Sequence, residues 1–307
     1  MKRLESAGEV VLLDNPDERN LIAVVGEADG LVVRTYSEVT SRVIAAAAKT
    51  GRLKVIGRAG IGVDNIDVRA SVDAGIPVVH TPAASTNAVA DFTVGLIIGL
   101  QRRIVAFDAA VRQGRFTDLR SDTPPVVELR HQTLGVIGMG KIGSAVGKRL
   151  SLGFDMRVIY YDIRDIDGLS FPAEAKASAA DVYGEADVVT IHVPLTGQTR
   201  GMVDAGALSQ FKKGSCLINT SRGPVVDGVA LSAALQNGQL AGAALDVFDP
   251  EPPPPDHPLR SAPNCVMTPH VASRTQEGVK AMNDVVDDVI GVLQGNPPRY
   301  PADPNLS

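Results

Sequence analysis

From Val10 onward, short runs of Val, Ile and Leu alternate with longer amphipathic stretches. In the first part of the chain the apolar runs are GLVVRT, LKVIGRAG and IPVVHTP, separated by SEVTSRVIAAAAKT and VDNIDVRASVDAG. Unbroken apolar runs suit strands covered on both faces, and apolar residues three and four apart suit helices that lie on a sheet. The alternation therefore predicts βαβ units around a mostly parallel sheet. After Pro82 the pattern changes to a helix-like period over residues 87–113, which predicts one long helix with Ser85 and Thr86 as cap candidates and Gly114 as its stop. A loop, TDLRSDTPP, is expected next. Then a second series opens with TLGVIG, RVIYYD, ADVVTIHVP, CLINTS, AGAALDVF and CVMTPH, six strand candidates in the order a doubly wound dinucleotide-binding domain requires. Residues 275–293 predict a single amphipathic helix, followed by a Pro-rich tail, NPPRYPADPNLS. Two domains are expected: residues 1–98 completed by 285–307, and residues 99–284.

Composition narrows the function classes. The 307 residues are 44% hydrophobic and 21% charged, ordinary for a globular protein and enough for two cores. A net charge of -5, with no block of Lys and Arg, gives no footprint for a nucleic acid. Cys216 and Cys265 lack the spacings that bind zinc or run disulfide exchange, so no metal is expected and a reduced, cytoplasmic setting is. The N-terminal MKRLESAGEVVLLDN is too acidic, with too short an apolar run, for a signal peptide. The longest apolar stretch, Val94–Leu100, falls far short of the roughly 20 residues that span a bilayer, so no membrane is expected either.

Gly138-Met139-Gly140-Lys141-Ile142-Gly143 follows one apolar run and opens the helical stretch KIGSAVGKRL. In that context Gly138 makes the tight turn, Gly140 lets the backbone approach a pyrophosphate, and Gly143 lets the helix pack on its strand. The N–H groups at the helix start attract the anion. Asp162 ends the next apolar run, about 20 residues on, where a carboxylate accepts hydrogen bonds from a ribose hydroxyl and repels a 2′-phosphate. NAD is therefore expected over NADP, with Arg164, two residues further, as a cation that softens the preference.

Three strand ends of the second series carry polar side chains where such a sheet gathers ligands: Arg222 in NTSRGP, Glu251 after ALDVF, and His270 in MTPH. Hydride transfer at an alcohol carbon needs a proton acceptor, a holder for the substrate carboxylate, and a group that tunes the base. Imidazole, guanidinium and carboxylate suit those tasks in turn. Each residue alone also reads as a surface or core-edge group; together they read as chemistry.

Through GRAGIGVDNID, LGVIGMGKIG, NTSRGPVVD, AGAALDVFDPEPP and TPH, in that order over nearly the whole chain, the sequence resembles the D-isomer-specific 2-hydroxyacid dehydrogenases. The likeness is greatest to the catalytic core of the phosphoglycerate dehydrogenase branch. It implies two doubly wound parallel-sheet α/β domains, the second a Rossmann-type NAD-binding domain. It also implies Arg222 as substrate-orienting cation, Glu251 as the His partner, His270 as acid/base, and Asp246 near the nicotinamide end.

The substrate is expected to be a small anionic D-2-hydroxy acid or its 2-keto acid. Gly60, Ile61 and Gly62 offer backbone N–H groups to the carboxylate, since missing side chains allow close approach. By the resemblance, Arg34 and Arg58 match positions that bind a substrate phosphate, although each also reads as a structural or surface arginine. Ile61 where a Thr is common, VASRT with Arg274 after His270, and a chain that stops after the catalytic core all depart from the phosphoglycerate pattern. That leaves 3-phosphoglycerate, a sulfonated or dicarboxylic acid, and glycerate open. Two alternatives stand beside the leading reading: a glyoxylate or hydroxypyruvate reductase, and a nucleotide-sensing corepressor-like binding protein, which no interaction tail supports here. The broad apolar circumference of AVADFTVGLIIGLQRRIVAFDAAV exceeds one buried stripe, and with the resemblance it points to a homodimer; an interdomain core helix is the other reading.

Overall fold

The computed structural model describes residues 2–304; residues 305–307, the end of the expected C-terminal completion, lie outside the described residues. Two compact units emerge, Met1–Ser85 with Arg274–Ser307, and Thr86–Ser273. The sequence pattern sets these boundaries at 98/99 and 284/285. The first falls earlier because the helix that begins at Thr86 puts Leu96, Ile97 and Leu100 into the core of the second unit, and the second because Val279 and Met282 pack in a core of the first.

The first unit runs α1 (Lys2–Glu5), α2 (Glu18–Val24), β1 (Gly30–Val33), α3 (Ser41–Thr50), β2 (Val55–Arg58), α4 (Val68–Asp73) and β3 (Val78–His80). The run Val10–Leu13 that opens the alternation forms no strand, and Val11 and Leu12 are 71% and 69% exposed. The strands pair in parallel in the order β1-β2-β3. Successive side chains point to opposite faces. Ile56 and Val78 thus join Leu21, Val43 and Ile44 in one core, while Val55 and Val79 join Val285 and Val289 in another.

The second unit contains α5 (Thr86–Gln101), α6 (Ile104–Arg112), α7 (Phe116–Asp122), β4 (Thr133–Ile137), α8 (Lys141–Phe154), β5 (Arg157–Tyr161), β6 (Glu174–Ala175), α9 (Ala179–Glu185), β7 (Val188–Ile191), α10 (Ala205–Gln210), β8 (Ser215–Asn219), α11 (Gly228–Gln236), β9 (Leu240–Leu245) and β10 (Cys265–Met267). Its parallel sheet has the order β10-β9-β8-β7-β4-β5-β6. All six expected strands are present, and the two-residue edge strand β6 is an addition. Strand order reverses between β4 and β7, the switch point at which such sheets bind ligands beyond the strand C-termini. One face carries α5 and α8 over Leu134, Val136, Val158 and Ile218; the other carries α9, α10 and α11 over Ile159, Val189, Leu217 and Leu245.

Three helical expectations are corrected. Residues 87–113 form two helices, because Arg103 takes a left-handed conformation at φ 54° between α5 and α6. Its side chain lies over the Phe107 ring, 5.4 Å from the centroid. The expected loop TDLRSDTPP opens with α7, and residues 275–293 form α12 (Gln276–Met282) and α13 (Val285–Leu293), separated at Asn283-Asp284.

The Pro-rich tail is pinned in the first unit. Buried Asp288 accepts the N–H groups of Arg299 and Tyr300 at 2.9 and 3.1 Å, and Ala302 N–H donates to the Val78 carbonyl at 2.8 Å. No helix of the described residues is long and apolar enough to cross a membrane.

Candidate active site

The glycine motif sits between β4 and α8, where the sequence places it. Gly138 has φ 89°, and a Cβ there would lie 2.6 Å from the His192 carbonyl oxygen at the end of β7. A Cβ on Gly143 would lie 2.1 Å from the Gly138 oxygen. Side chains of Ser178, Asp204 and Asp227 cap α9, α10 and α11, whereas α8 begins at Gly140 with no side-chain cap. A turn that excludes a Cβ at Gly138 and Gly143 and an uncapped helix start suit a pyrophosphate. Lys141 is exposed and Ile142 half-buried at that start. The residues present therefore fit a dinucleotide.

Asp162 follows β5, and its side chain is 5% exposed. Its Oδ2 accepts the Met139 N–H at 2.8 Å, which ties the carboxylate to the glycine turn. Burial is the largest influence on this carboxyl and pushes it up, yet the Arg164 and Met139 hydrogen bonds and the Arg164 charge hold it below its ordinary value.

The three catalytic candidates converge. His270 Nδ1 and Glu251 Oε2 are 2.8 Å apart, each side chain 24% exposed. Glu251 Oε1 accepts the Phe248 N–H at 3.0 Å. Burial pushes the Glu251 carboxyl up; the His270 hydrogen bond and charge, the Phe248 N–H and the Arg222 charge together outweigh it and hold the group below its ordinary value. Arg222 thus stands near enough for its charge to act on Glu251, and its Nη1 donates to the Ser221 carbonyl at 2.8 Å.

Asp246, 1% exposed, lies beneath the loop that bears His270. Its Oδ1 accepts the Thr268 hydroxyl at 2.6 Å and the Val271 N–H at 3.0 Å, and its Oδ2 accepts the Ala272 N–H at 2.8 Å. Those bonds bracket His270, whose backbone is left-handed at φ 52°.

Sequence reasoning missed the supports of these groups. Asn219 Nδ2 donates to the Arg222 carbonyl at 2.9 Å, and its Oδ1 accepts the Ser221 N–H at 2.9 Å, an Asx-type turn that the NTSRG spelling signals. A Cβ on Gly223 would lie 1.8 Å from the Phe248 oxygen, so the turn after Arg222 abuts the segment that leads to Glu251. Thr220 shares a 2.9 Å hydroxyl contact with Thr93 of α5, which no local pattern announces.

In the first unit, Arg34 is exposed after β1, and Arg58 ends β2 at 6% exposure. Arg58 Nη1 donates to the Ala59 carbonyl at 2.9 Å and fills the space over Gly60, where a Cβ would lie 1.5 Å from that nitrogen. His80 Nδ1 meets the Ile61 carbonyl at 2.8 Å, and Thr81 N–H donates to the Gly60 carbonyl at 3.1 Å, so β3 braces the turn through Gly60, Ile61 and Gly62. Arg274 is exposed before α12. Among the described residues no group of three His, Cys, Asp or Glu side chains is placed to hold a metal ion.

A model of the D-isomer specific 2-hydroxyacid dehydrogenase NAD binding domain matches residues 94–272. A protein of Thermofilum pendens called glyoxylate reductase is 40% identical over 92% of this chain and 84% of its own. The D-3-phosphoglycerate dehydrogenase of Methanocaldococcus jannaschii is 40% identical over 96% of this chain, which spans 55% of that longer relative. Among solved structures, an NADPH-dependent glyoxylate/hydroxypyruvate reductase of Sinorhizobium meliloti, in complex with NADP and malonate, has a TM-score of 0.88 and 32% identity, covering 99% of this chain and 93% of its own.

Proposed function

The chain belongs to the D-isomer-specific 2-hydroxyacid dehydrogenase family, and from that premise we propose that Arg222, Glu251 and His270 carry hydride transfer at C2 of a small anionic D-2-hydroxy acid or 2-keto acid. The 2.8 Å contact of His270 with Glu251, whose charge Phe248 and Arg222 sustain, carries the reading. The nicotinamide, when bound, supplies or takes the hydride. In the reduction direction His270 gives the proton from Nε2 to the carbonyl oxygen, while Glu251 receives Nδ1–H and stabilises the imidazolium. Arg222 holds the substrate carboxylate with its planar fork and draws charge toward the new alkoxide. In oxidation His270 takes the hydroxyl proton. Asp162 receives the ribose hydroxyls, Gly138, Gly140, Lys141, Ile142 and Gly143 hold the pyrophosphate, and Asp246 serves the nicotinamide end by fixing the His270 loop.

Ile61 and Gly62 would offer N–H groups to the substrate, whereas the Gly60 N–H, expected to do the same, is donated to the Arg58 carbonyl at 2.9 Å. Arg34 and Arg58 would supply cations for a distal anion, 3-phosphoglycerate among the candidates. A small-tailed acid such as glyoxylate or hydroxypyruvate is the second reading, favoured by an Arg58 guanidinium already bonded to Ala59 and packed on Gly60. A steady-state NADH assay against glyoxylate, hydroxypyruvate, 3-phosphohydroxypyruvate and oxaloacetate tests both. Turnover of none of them by the wild type, or full turnover by His270→Ala, overturns the assignment.

We also infer a homodimer in a reducing cytoplasm. Ile104, Val105, Val111, Phe116 and Val127 are 46–59% exposed around α6 and α7, an apolar surface that a second copy would cover. Both cysteines are free thiols, which burial pushes up to about 12. Light scattering that returns a monomer mass removes the dimer.

A further inference from the structure

The carboxylate assigned to the adenosine ribose already has occupants. Asp162 Oδ1 accepts both the backbone N–H and the Nε–H of Arg164 at 3.0 Å, and Oδ2 accepts its Nη2–H at 3.2 Å besides the Met139 N–H. The two side chains differ in freedom: Asp162 is 5% exposed and Arg164 63%. The guanidinium lies over the glycine turn, with Nη2 3.6 Å from where a Gly140 Cβ would stand. A ribose diol needs the same carboxylate oxygens as acceptors. Arg164, the more exposed partner, is the one free to move.

We propose that Arg164 is the residue of this chain that sets selectivity at the cofactor's 2′ position, by competing with the NAD ribose for Asp162 and by pairing with a 2′-phosphate when one is present. The proposal rests on Asp162 as the ribose acceptor. Binding of NADH must break the fork, so the pair weakens NADH. For NADPH the same fork partly neutralises the Asp162 charge that would repel the phosphate, and the guanidinium then becomes a bidentate partner for it. The pairing also marks the groups themselves: the Asp162 hydrogen bond, then its charge, holds Arg164 above its ordinary value.

Titration calorimetry of NADH and NADPH with the full chain tests this through binding alone. Arg164→Ala removes an exposed side chain and leaves the core intact. It is expected to tighten NADH about two- to fivefold, the usual worth of an exposed ion pair, and to weaken NADPH by roughly tenfold. Arg164→Lys, a charge without a fork, is expected to fall between. Asp162→Asn, which keeps one acceptor oxygen for Met139, is expected to weaken NADH. NADH affinity unchanged in Asp162→Asn overturns the ribose assignment and this proposal with it. Weaker NADH in Asp162→Asn, combined with unchanged or weaker NADH in Arg164→Ala, overturns the proposal alone.

Discussion

Asp246 accepts the backbone N–H of Ala272 at 2.8 Å, two residues beyond His270. With the Thr268 and Val271 bonds on its other oxygen, one buried carboxylate clamps both sides of the imidazole's anchor. Replacement by Ala strands these donors, each costing about 1–3 kcal/mol if no water replaces the oxygen. Asp246→Ala is expected to lower the melting temperature by several degrees and kcat by roughly tenfold or more, checked by calorimetry and NADH kinetics. Unchanged kcat at a temperature where the variant is folded would detach the clamp from catalysis.

The left-handed backbone at His270 separates chemistry from folding. A residue with a Cβ pays about 1 kcal/mol there that glycine does not. His270→Ala and His270→Gly are both expected to lose roughly 10²- to 10⁴-fold in kcat. Urea unfolding should show the Gly variant no less stable than the Ala variant, whereas in a helix interior the order is reversed.

Glu251 makes stability depend on pH. Its carboxyl is held below its ordinary value in the folded chain. A depressed acid stabilises the fold fully above the unfolded-state value, about 4.3, and that stabilisation is lost as pH falls through the lower folded-state value. The stability difference between wild type and Glu251→Gln should therefore shrink as pH falls below the unfolded-state value, about 4.3. In catalysis, Glu251→Gln removes the carboxylate that receives the His270 Nδ1–H, so kcat for keto-acid reduction should fall by roughly tenfold or more. An unchanged kcat would sever the link from Glu251 to the proton transfer.

Gly223 links the Arg222 turn to the Glu251 segment by sheer closeness. A Cβ 1.8 Å from the Phe248 oxygen forces one of the two backbones to move. Gly223→Ala is expected to cost about 1–3 kcal/mol as overpacking, and to raise KM for the acid while NADH affinity holds, because the displaced neighbour is Arg222. Equal losses in both affinities would point to general unfolding instead.

What could be read from the chain follows the range of the forces involved. The glycine turn is legible because sterics leave a single residue type: φ 89° at Gly138 and a 2.1 Å approach at Gly143 admit no side chain. The six strands of the second unit are legible because burial on both faces demands unbroken apolar runs. The break at Arg103 is not, since a left-handed arginine has no local signature and depends on what surrounds it. Arg222, Glu251 and His270 are legible as residue types at strand ends. Their supports are only partly so: Asn219 follows a local turn rule, but the Thr93–Thr220 contact and the Asp246 clamp join segments far apart in sequence.

The first unit is built from two stretches of chain, and the second lies wholly between them. Val285, Val286 and Val289, which close one core of the first unit, reach the ribosome's exit only after all of Thr86–Ser273 has been made. At translation speeds of about 5–20 residues per second, the earlier stretch waits many seconds with β2 and β3 uncovered on one side. The interval favours an order of assembly in which the nucleotide-binding half is complete before its neighbour, and it marks the nascent N-terminal strands as the surface most in need of chaperone protection.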